Sequence, residues 1–337
     1  MNTRMTRQEK KTNVGGHVKR LLSRVFGAAA LLAVAASAMA QADKPLTIGV
    51  IELFPNPHFA EARKGMEEVA KKHNTKLVIQ NANVDATKEA QYVQTFITRN
   101  VDAILVSAVS PTGSLAALRM AKAAGIPVVC YTTCINPPED KDLVQAFVMS
   151  DNRKIGATTG KQVAAYIKSQ LGGKAKVLML TCESYDVCKE RRKGINEQLA
   201  GLDVKVLAEQ EGFLVDKARP IADSMLAANP NANVFIAENE DAVIAAAQAI
   251  KAKGLAGKVA VFGIDINTQV ALLVASPDGI VHWTTGQDPH ALGMRGLEAA
   301  IKAARKQAVG DFYQYTNSPT FSKDDPAAAR KYAAERG

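Results

Sequence analysis

Beyond its first forty residues, the sequence has no apolar run that approaches the roughly 20 residues of a membrane-spanning helix. The longest apolar run, residues 26–36, is also too short, and several basic residues precede it. Small residues follow it at 37–40, at the spacing that a signal peptidase recognises. We therefore expect a secretory leader over residues 1–40, cleaved after Ala40, which in a bacterium delivers the protein to the periplasm.

The sequence also lacks a strong excess of one charge. Its formal net charge is +9, but the first forty residues hold seven of the 42 basic residues and one of the 33 acidic residues, so the remainder carries only +3. The basic residues are scattered among acidic ones, whereas nucleic-acid binding needs a concentrated basic face. A nucleic-acid partner is therefore not expected.

Motifs for nucleotides and metals are missing as well. No glycine-rich turn follows the first predicted strand, and Gly156 to Lys161 has one residue too few between its glycines for a phosphate loop. Gln162 also stands where such a loop needs Ser or Thr. The four cysteines lack the paired spacing and nearby histidines of a zinc site. We expect neither a cofactor nor a metal.

What the sequence does have is a regular alternation of apolar strands and amphipathic helices. Strands that begin near residues 46, 76 and 102 are continuous in Val, Ile and Leu, as strands buried on both faces are. Helical patterns separate them, which predicts βαβ units and parallel sheets. The rhythm restarts after residue 150, so about 297 residues beyond the leader are expected to form two α/β lobes.

Polar side chains follow many of these strands, and ligands on open parallel sheets bind at the carboxyl ends of the strands. Amide and carboxylate groups together with a few aromatic rings are suited to hydroxyl groups and apolar C–H faces. The strand-end segments are 54–59, 131–134, 181–188, 238–241, 265–267 and 285–288.

Short motifs in a shared order give these segments a family resemblance. They are NPHF at 56–59, GIPVV at 125–129, SDN at 150–152, RRKGI at 191–195, FIAEN at 235–239, FGID at 262–265 and GQDPHALG at 286–293. In this order the chain resembles the periplasmic ribose- and galactose-type sugar-binding proteins of ABC importers. The resemblance implies a type I periplasmic binding protein fold, with two doubly wound parallel-sheet lobes joined by a three-segment hinge.

Domain boundaries follow from the resemblance. The first lobe is expected to comprise residues 45–150 and 288–310, and the second lobe residues 151–287 and 315–322. A tail helix is expected within residues 323–337. The three crossings between the lobes are expected near Ser150-Asp151, near Gly286-Gln287, and between Gly310 and Tyr315.

The resemblance also implies a set of ligand-binding residues. In the first lobe they are Asn56 and Phe59; in the second lobe and hinge they are Arg191, Phe213, Asn239, Asp265 and Gln287. The chain departs from the ribose pattern at His58, where relatives have a stacking Phe, and at Thr132 and Thr133, where they have an acidic residue and an Arg. These three are also candidate ligand-binding residues, and the ligand is left open among pentoses, hexoses and polyols.

The cysteines are the remaining chemical feature. Cys182 and Cys188 are expected to form a disulfide that stiffens a loop at the pocket rim, ahead of Arg191. Cys130 and Cys134 either pair or stay free, since four cysteines allow three pairings. A bridge between the two pairs of positions would tie the lobes together and conflict with hinge opening.

The function implied is that of a monomeric, non-enzymatic periplasmic binding protein, which captures a sugar or polyol between closing lobes and delivers it to an ABC permease. One alternative is a sensor that presents the ligand-bound form to a chemotaxis or kinase receptor. Another is an exported enzyme with Asp265, Glu240 or Asp241 as acid and base, although nothing in the sequence fixes a reactive geometry. A transcription regulator is disfavoured because the leader occupies the place of a DNA-binding domain.

Overall fold

The computed structural model describes residues 45–183, 186–212 and 215–336. The first half of the chain contains five strands and four helices in alternation. In chain order they are β1 (Leu46–Glu52), α1 (Pro57–Lys72), β2 (Thr75–Asn81), α2 (Ala86–Thr98), β3 (Ala103–Val106), α3 (Leu115–Ala123), β4 (Val128–Tyr131), α4 (Glu139–Leu143) and β5 (Ala146–Ser150).

The alternation continues through the second half and ends in a helix. The elements are α5 (Asn152–Gln170), β6 (Lys174–Thr181), α6 (Asp186–Leu199), β7 (Asp203–Glu211), α7 (Val215–Ala228), β8 (Val234–Ala237), α8 (Glu240–Ala252), β9 (Ala260–Ile264), α9 (Thr268–Val274), β10 (Val281–Thr285), α10 (Pro289–Ala304), β11 (Tyr313–Thr316), β12 (Thr320–Ser322) and α11 (Pro326–Arg336).

The strands form two six-stranded sheets, which confirms the predicted α/β fold with two doubly wound lobes. The first sheet has the order β11-β5-β4-β3-β1-β2, and its neighbouring strands are all parallel. The second has the order β12-β10-β9-β8-β6-β7 and is parallel except for its edge strand β12. Buried apolar residues pack on both faces of each sheet, as the continuous Val, Ile and Leu runs predict.

The chain passes between the lobes at the carboxyl ends of strands. It leaves the first sheet after β5 and returns to the first lobe after β10, because α10 packs on α1 and on β3 to β5. It crosses a third time between β11 and β12, which lie in different sheets. The carboxyl ends of both sheets therefore face the junction of the lobes, where a ligand is expected.

The third crossing differs from the prediction. Residues 313–316 pair in parallel with β5, so they belong to the first sheet, and the crossing spans the residues between Thr316 and Thr320. The prediction placed Tyr315 and Thr316 in the second lobe, because the polar composition of that strand does not indicate which sheet it joins. Helix α11 packs against α9 and β12 of the second lobe.

Close helix crossings hold each lobe together. In the second lobe a Cβ on Gly156 of α5 would overlap the backbone of Arg191 on α6, and a Cβ on Gly194 would overlap α5 in return. The first lobe repeats this arrangement: Gly293 of α10 faces the backbone of Ala62 on α1, and Gly65 faces α10. Only glycine permits such approach, so these positions allow α5 to pack closely on α6 and α1 to pack closely on α10.

No helix within the described ranges has the length and apolarity that crossing a membrane requires.

Candidate functional site

Arg191 is the most extensively bonded polar side chain at the cleft. It lies on α6 and is only 3% exposed. Its Nη1 donates to Asp265 Oδ2 at 2.8 Å and to the carbonyl of Glu238 at 2.8 Å, and its Nη2 donates to Asp265 Oδ1 at 3.2 Å. Its Nε donates to Asn152 Oδ1 at 3.0 Å. The guanidinium is therefore held as a fixed fork.

Asp265 is held equally firmly. It follows β9 in a left-handed backbone conformation with φ of 69°, where its amide donates to Thr285 O at 2.9 Å. Its carbonyl accepts from Thr284 Oγ1 at 2.6 Å, and its Oδ1 also accepts from Gln287 Nε2 at 2.8 Å. Arg191, Asp265 and Gln287, three predicted ligand residues, therefore form one hydrogen-bonded network.

The start of α8 supplies a further group of polar residues. Asn239, a predicted ligand residue, is buried, and its Oδ1 accepts from the amide of Ala242 as an N-terminal cap. Burial, together with the charge of Asp265, raises the pKa of Glu240 to about 8. Burial likewise raises the pKa of Glu238 to about 7. This part of the cleft consequently holds carboxyl groups that keep a proton more readily than ordinary ones.

The first lobe presents Asn56, His58 and Phe59 from the start of α1. Asn56 caps the helix, since its Oδ1 accepts from Phe59 N at 3.0 Å. Phe59 is 2% exposed and packs edge-on against Phe54 and Tyr131, with ring centroids 5.6 and 5.9 Å away. The aromatic ring of Phe59 is thus part of the first-lobe core rather than of the cavity lining.

His58 and Thr132 form the polar part of the first-lobe wall. His58 Nε2 lies 3.2 Å from Thr132 Oγ1, and Thr132 has a φ of 62°. Burial lowers the pKa of His58 to about 4; Asp265 acts against this shift, and Arg191 reinforces it. The imidazole is therefore neutral at neutral pH and lies within electrostatic range of the second lobe.

The side chain of Thr133 has different partners from that of Thr132. Its hydroxyl donates to the carbonyl of Ala108 at 2.8 Å and lies 2.8 Å from Ser107 Oγ. These bonds tie the loop after β4 to the end of β3. Of the two threonines, only Thr132 contacts another predicted ligand residue through its side chain. Phe213 lies outside the described residues.

A cavity of about 70 Å³ lies between the two walls. This is well below the roughly 300 Å³ at which sites for small molecules begin. The residues that line it are Pro57, His58, Glu61, Glu240, Asp265, Ile266, Asn267, Thr268, Gln287, Pro289, Tyr332 and Arg336.

The last helix, α11, forms part of the wall of this cavity. Arg336, near the end of α11, has its Nη1 3.7 Å from Glu61 Oε2 on α1 and its guanidinium 4.9 Å from the centre of the Tyr332 ring. Among the ion pairs formed by described residues, Arg336–Glu61 is the one that joins the two lobes. Tyr332 in turn donates to the carbonyl of Ile266 at 3.4 Å.

Both disulfides lie within a lobe. Cys182, just after β6, pairs with Cys188 near the start of α6. Cys130, within β4, pairs with Cys134 in the loop that follows. Neither bridge links the two lobes, so the hinge is not covalently locked. The first of these bridges stands one helical turn before Arg191.

Sequence reasoning missed four contributing residues. Asn152, which accepts from Arg191, belongs to the SDN motif but was not assigned a role. Glu240 was placed at a strand end without being counted as a binding residue. Tyr332 and Arg336 carry no motif, because only tertiary packing brings α11 to the cleft. Within the described residues, no group of three or more His, Cys, Asp and Glu side chains is arranged to hold a metal.

Two lobes of mainly parallel sheet with a polar cleft at their carboxyl ends define a two-lobed ligand-binding protein. Residues 49–308 match the family described as the periplasmic binding protein domain. The chain therefore belongs to the periplasmic binding protein family. The family and its curated relatives are binding proteins rather than enzymes.

Two curated relatives cover most of the chain. The ABC transporter periplasmic-binding protein YphF of Escherichia coli K12 is 37% identical over 274 residues, which is 80% of this chain and 84% of that protein. The ribose import binding protein RbsB of Bacillus subtilis 168 is 30% identical over 260 residues, which is 76% of this chain and 81% of that protein.

Two solved structures have a similar fold to this chain. The ABC transporter periplasmic solute binding protein from Actinobacillus succinogenes 130z with bound D-allose has a TM-score of 0.76 and 27% identity, and the match covers 85% of this chain and 100% of that chain. A galactofuranose binding protein has a TM-score of 0.78 and 25% identity, over 86% of this chain and 99% of that chain.

Proposed function

We propose that this protein captures a sugar or polyol in the cleft between its lobes and delivers it to the membrane permease of an ABC importer. The observation that carries the proposal is the Asp265 carboxylate, held between Arg191 and Gln287 and facing His58 across the cavity. A fixed carboxylate, guanidinium and amide offer both acceptors and donors to hydroxyl groups. The sugar-binding relatives support the same class of ligand.

The roles of the cleft residues follow from this geometry. Arg191, Asn239, Asp265 and Gln287 grip the ligand hydroxyls from the second lobe. On closure, His58, Thr132 and Asn56 approach from the first lobe, while Phe59 supports His58 from the core at a ring distance of 5.2 Å. Closure is favoured by ligand only through contacts that the open form lacks. The binding protein works as a monomer in the periplasm, after removal of its leader.

A thermal-shift screen against pentoses, hexoses and four- to six-carbon polyols tests the proposal. A ligand at about a thousandfold its Kd adds about 4 kcal/mol of stability, which a melting curve registers. We expect a saturable rise in Tm with at least one compound, absent in Asp265→Asn. Asp203→Asn is the matched control, because its carboxylate lies at the start of β7 and is 66% exposed. The absence of any shift with every compound would refute the proposal.

A further inference from the structure

The second lobe contains another concave site, at the edge of its sheet. Its volume is about 330 Å³, and it shares no residue with the lining of the cleft cavity. It lies between the second half of α5, strands β9 and β10, and the turn that follows β12. The volume reaches the lower end of the range of small-molecule sites, about 300 Å³.

One stripe of α5 forms a wall of this site. Gln162, Ala165, Tyr166, Ser169 and Gln170 all line it, and they are spaced three, four, seven and eight residues after the first. This spacing places them on one face of a helix. The stripe is polar and aromatic where a packing face would be aliphatic, and Ala165 leaves room in its middle.

A β-bulge forms the floor. In the pairing of β10 with β9, Val281 lies opposite Val261 and Trp283 lies opposite Phe262, so His282 is the extra residue. Without the bulge, consecutive residues of a strand would point to opposite faces of the sheet. Here both His282 and Trp283 line the site. Bulges of this kind re-aim side chains and are common beside binding sites.

The aromatic rings on this floor are packed against one another. The Tyr166 ring lies 5.0 Å from His282 and 5.4 Å from Phe262, and His282 lies 5.6 Å from Phe262. Burial, with a contribution from the charge of Lys323, lowers the pKa of His282 to about 4, so the imidazole is a neutral ring at neutral pH. The rings of Tyr166, His282 and Phe262 therefore form one aromatic cluster between the wall and the floor of the site.

The rim of the site is polar. Ser322, at the end of β12, lines it together with Lys323 and Asp324 in the turn that follows. Lys323 N donates to His282 O at 3.1 Å. Asp324 N also donates to Ser322 Oγ at 3.1 Å. Together with Gln162 and Gln170, the rim offers amide, hydroxyl and charged groups around an aromatic floor.

We propose that this site binds a pyranose ring of a carbohydrate, separately from the cleft. Apolar C–H faces of such a ring suit the Tyr166 and Trp283 surfaces, and its hydroxyls suit the amides of the rim. The proposal is independent of the identity of the cleft ligand. It predicts a second, weaker class of binding that persists when the cleft is disabled.

Intrinsic fluorescence provides a direct test, because Trp283 is the single tryptophan of the sequence. The mature Asp265→Asn variant, without the leader, would be titrated with methyl β-glucopyranoside, methyl β-galactopyranoside and cellobiose. Each sugar would be added up to high millimolar concentration. This background is needed because Trp283 Nε1 donates to Thr285 Oγ1 at 3.0 Å, and the Thr285 carbonyl accepts from the amide of Asp265. Cleft occupancy could otherwise reach the indole through Thr285.

We expect a saturable change in Trp283 emission with at least one pyranoside. Adding Ala165→Leu, which fills the middle of the site, should abolish the change while the melting curve shows that the protein remains folded. Gln162→Ala should weaken the apparent affinity several-fold. No response to any of the three probes would overturn the proposal, as would a response that survives Ala165→Leu. A response seen in wild type and absent in Asp265→Asn would assign it to the cleft instead.

Discussion

The two walls of the cleft hold their polar groups by different means. In the second lobe, Asp265 is bonded to both Arg191 and Gln287, and residues Asp265 and Arg191 are 8% and 3% exposed. In the first lobe, His58 is neutral and bonds only to Thr132 among the predicted ligand residues. Among the predicted ligand residues, those of the second lobe therefore include a fixed charged pair, whereas those of the first lobe are neutral hydrogen-bonding groups and an aromatic ring.

This difference indicates that the two lobes contribute differently to ligand binding. Buried charges that already have partners lose little further freedom when a ligand arrives, so the second lobe is preorganised for binding. The first-lobe groups gain ligand contacts only when the lobes meet. We therefore expect substitutions in the second lobe to cost more affinity than equivalent ones in the first.

Arg191→Ala should have the largest effect. Removing one partner of a buried ion pair leaves Asp265 uncompensated, which costs about 3–5 kcal/mol. Urea unfolding should show this loss of stability, and calorimetric titration with the sugar identified by the thermal screen should show no binding. Arg153→Ala is the control, since Arg153 is 49% exposed and pairs with Glu190 and Glu197 at the surface. Affinity near that of wild type in Arg191→Ala would contradict the placement of the site.

Two glycine substitutions compare the lobes directly. Gly156→Ala and Gly293→Ala each force a Cβ into the backbone of a neighbouring helix, at Arg191 and at Ala62 respectively. Overpacking of this kind costs about 1–3 kcal/mol, so both variants should lose similar stability. Only Gly156→Ala displaces the residue that holds Asp265, so its Kd should rise further. An equal loss of affinity in Gly293→Ala would show that the first-lobe wall is just as important.

The pH dependence of stability should report Glu240. Its carboxyl has a pKa of about 8 in the folded protein against an ordinary value of 4.5, so the folded state binds this proton more tightly. This tighter proton binding adds to the free energy of unfolding below pH 4.5, and the added stability is lost as the pH rises to about 8. Glu240→Gln should therefore lose less Tm than wild type between pH 5 and 8, whereas Glu335→Gln, at an exposed site, should follow wild type. Parallel curves for wild type and Glu240→Gln would contradict the assignment.

The smallest effect is expected at the ion pair between the lobes. Arg336 and Glu61 have side chains 27% and 18% exposed, and partly exposed pairs contribute less than about 1 kcal/mol. Arg336→Ala should accelerate ligand release a few-fold in stopped-flow measurements, with little change in Tm. Lys331→Ala on the same helix is the control. Identical release rates in all three proteins would show that α11 does not stabilise the closed form.

The sequence was sufficient to predict the fold because its signals are local and repeated. Continuous apolar strands such as β1 and β3 can be recognised from composition, and helix starts such as Asp288-Pro289 carry capping residues. Arg191, Asp265 and Gln287 also lie in motifs whose order along the chain matches the family, and the structure places them in one hydrogen-bonded network. Their role in ligand binding stays a prediction.

Other features depend on packing that no local pattern encodes. The sheet that β11 joins is decided by its pairing with β5, and a strand of four residues carries no signal for that partner. Phe59 occupies a space among Phe54 and Tyr131 that only the assembled lobe defines. Similarly, Arg336 reaches Glu61 only because α11 packs on α9.

A crystal structure of the protein with the sugar or polyol that gives the strongest thermal shift would test the central claim most directly. We expect ligand hydroxyls within hydrogen-bonding distance of Asp265 and Arg191 on one side and of His58 or Thr132 on the other. A ligand found elsewhere on the protein, or held by the first lobe alone, would contradict it.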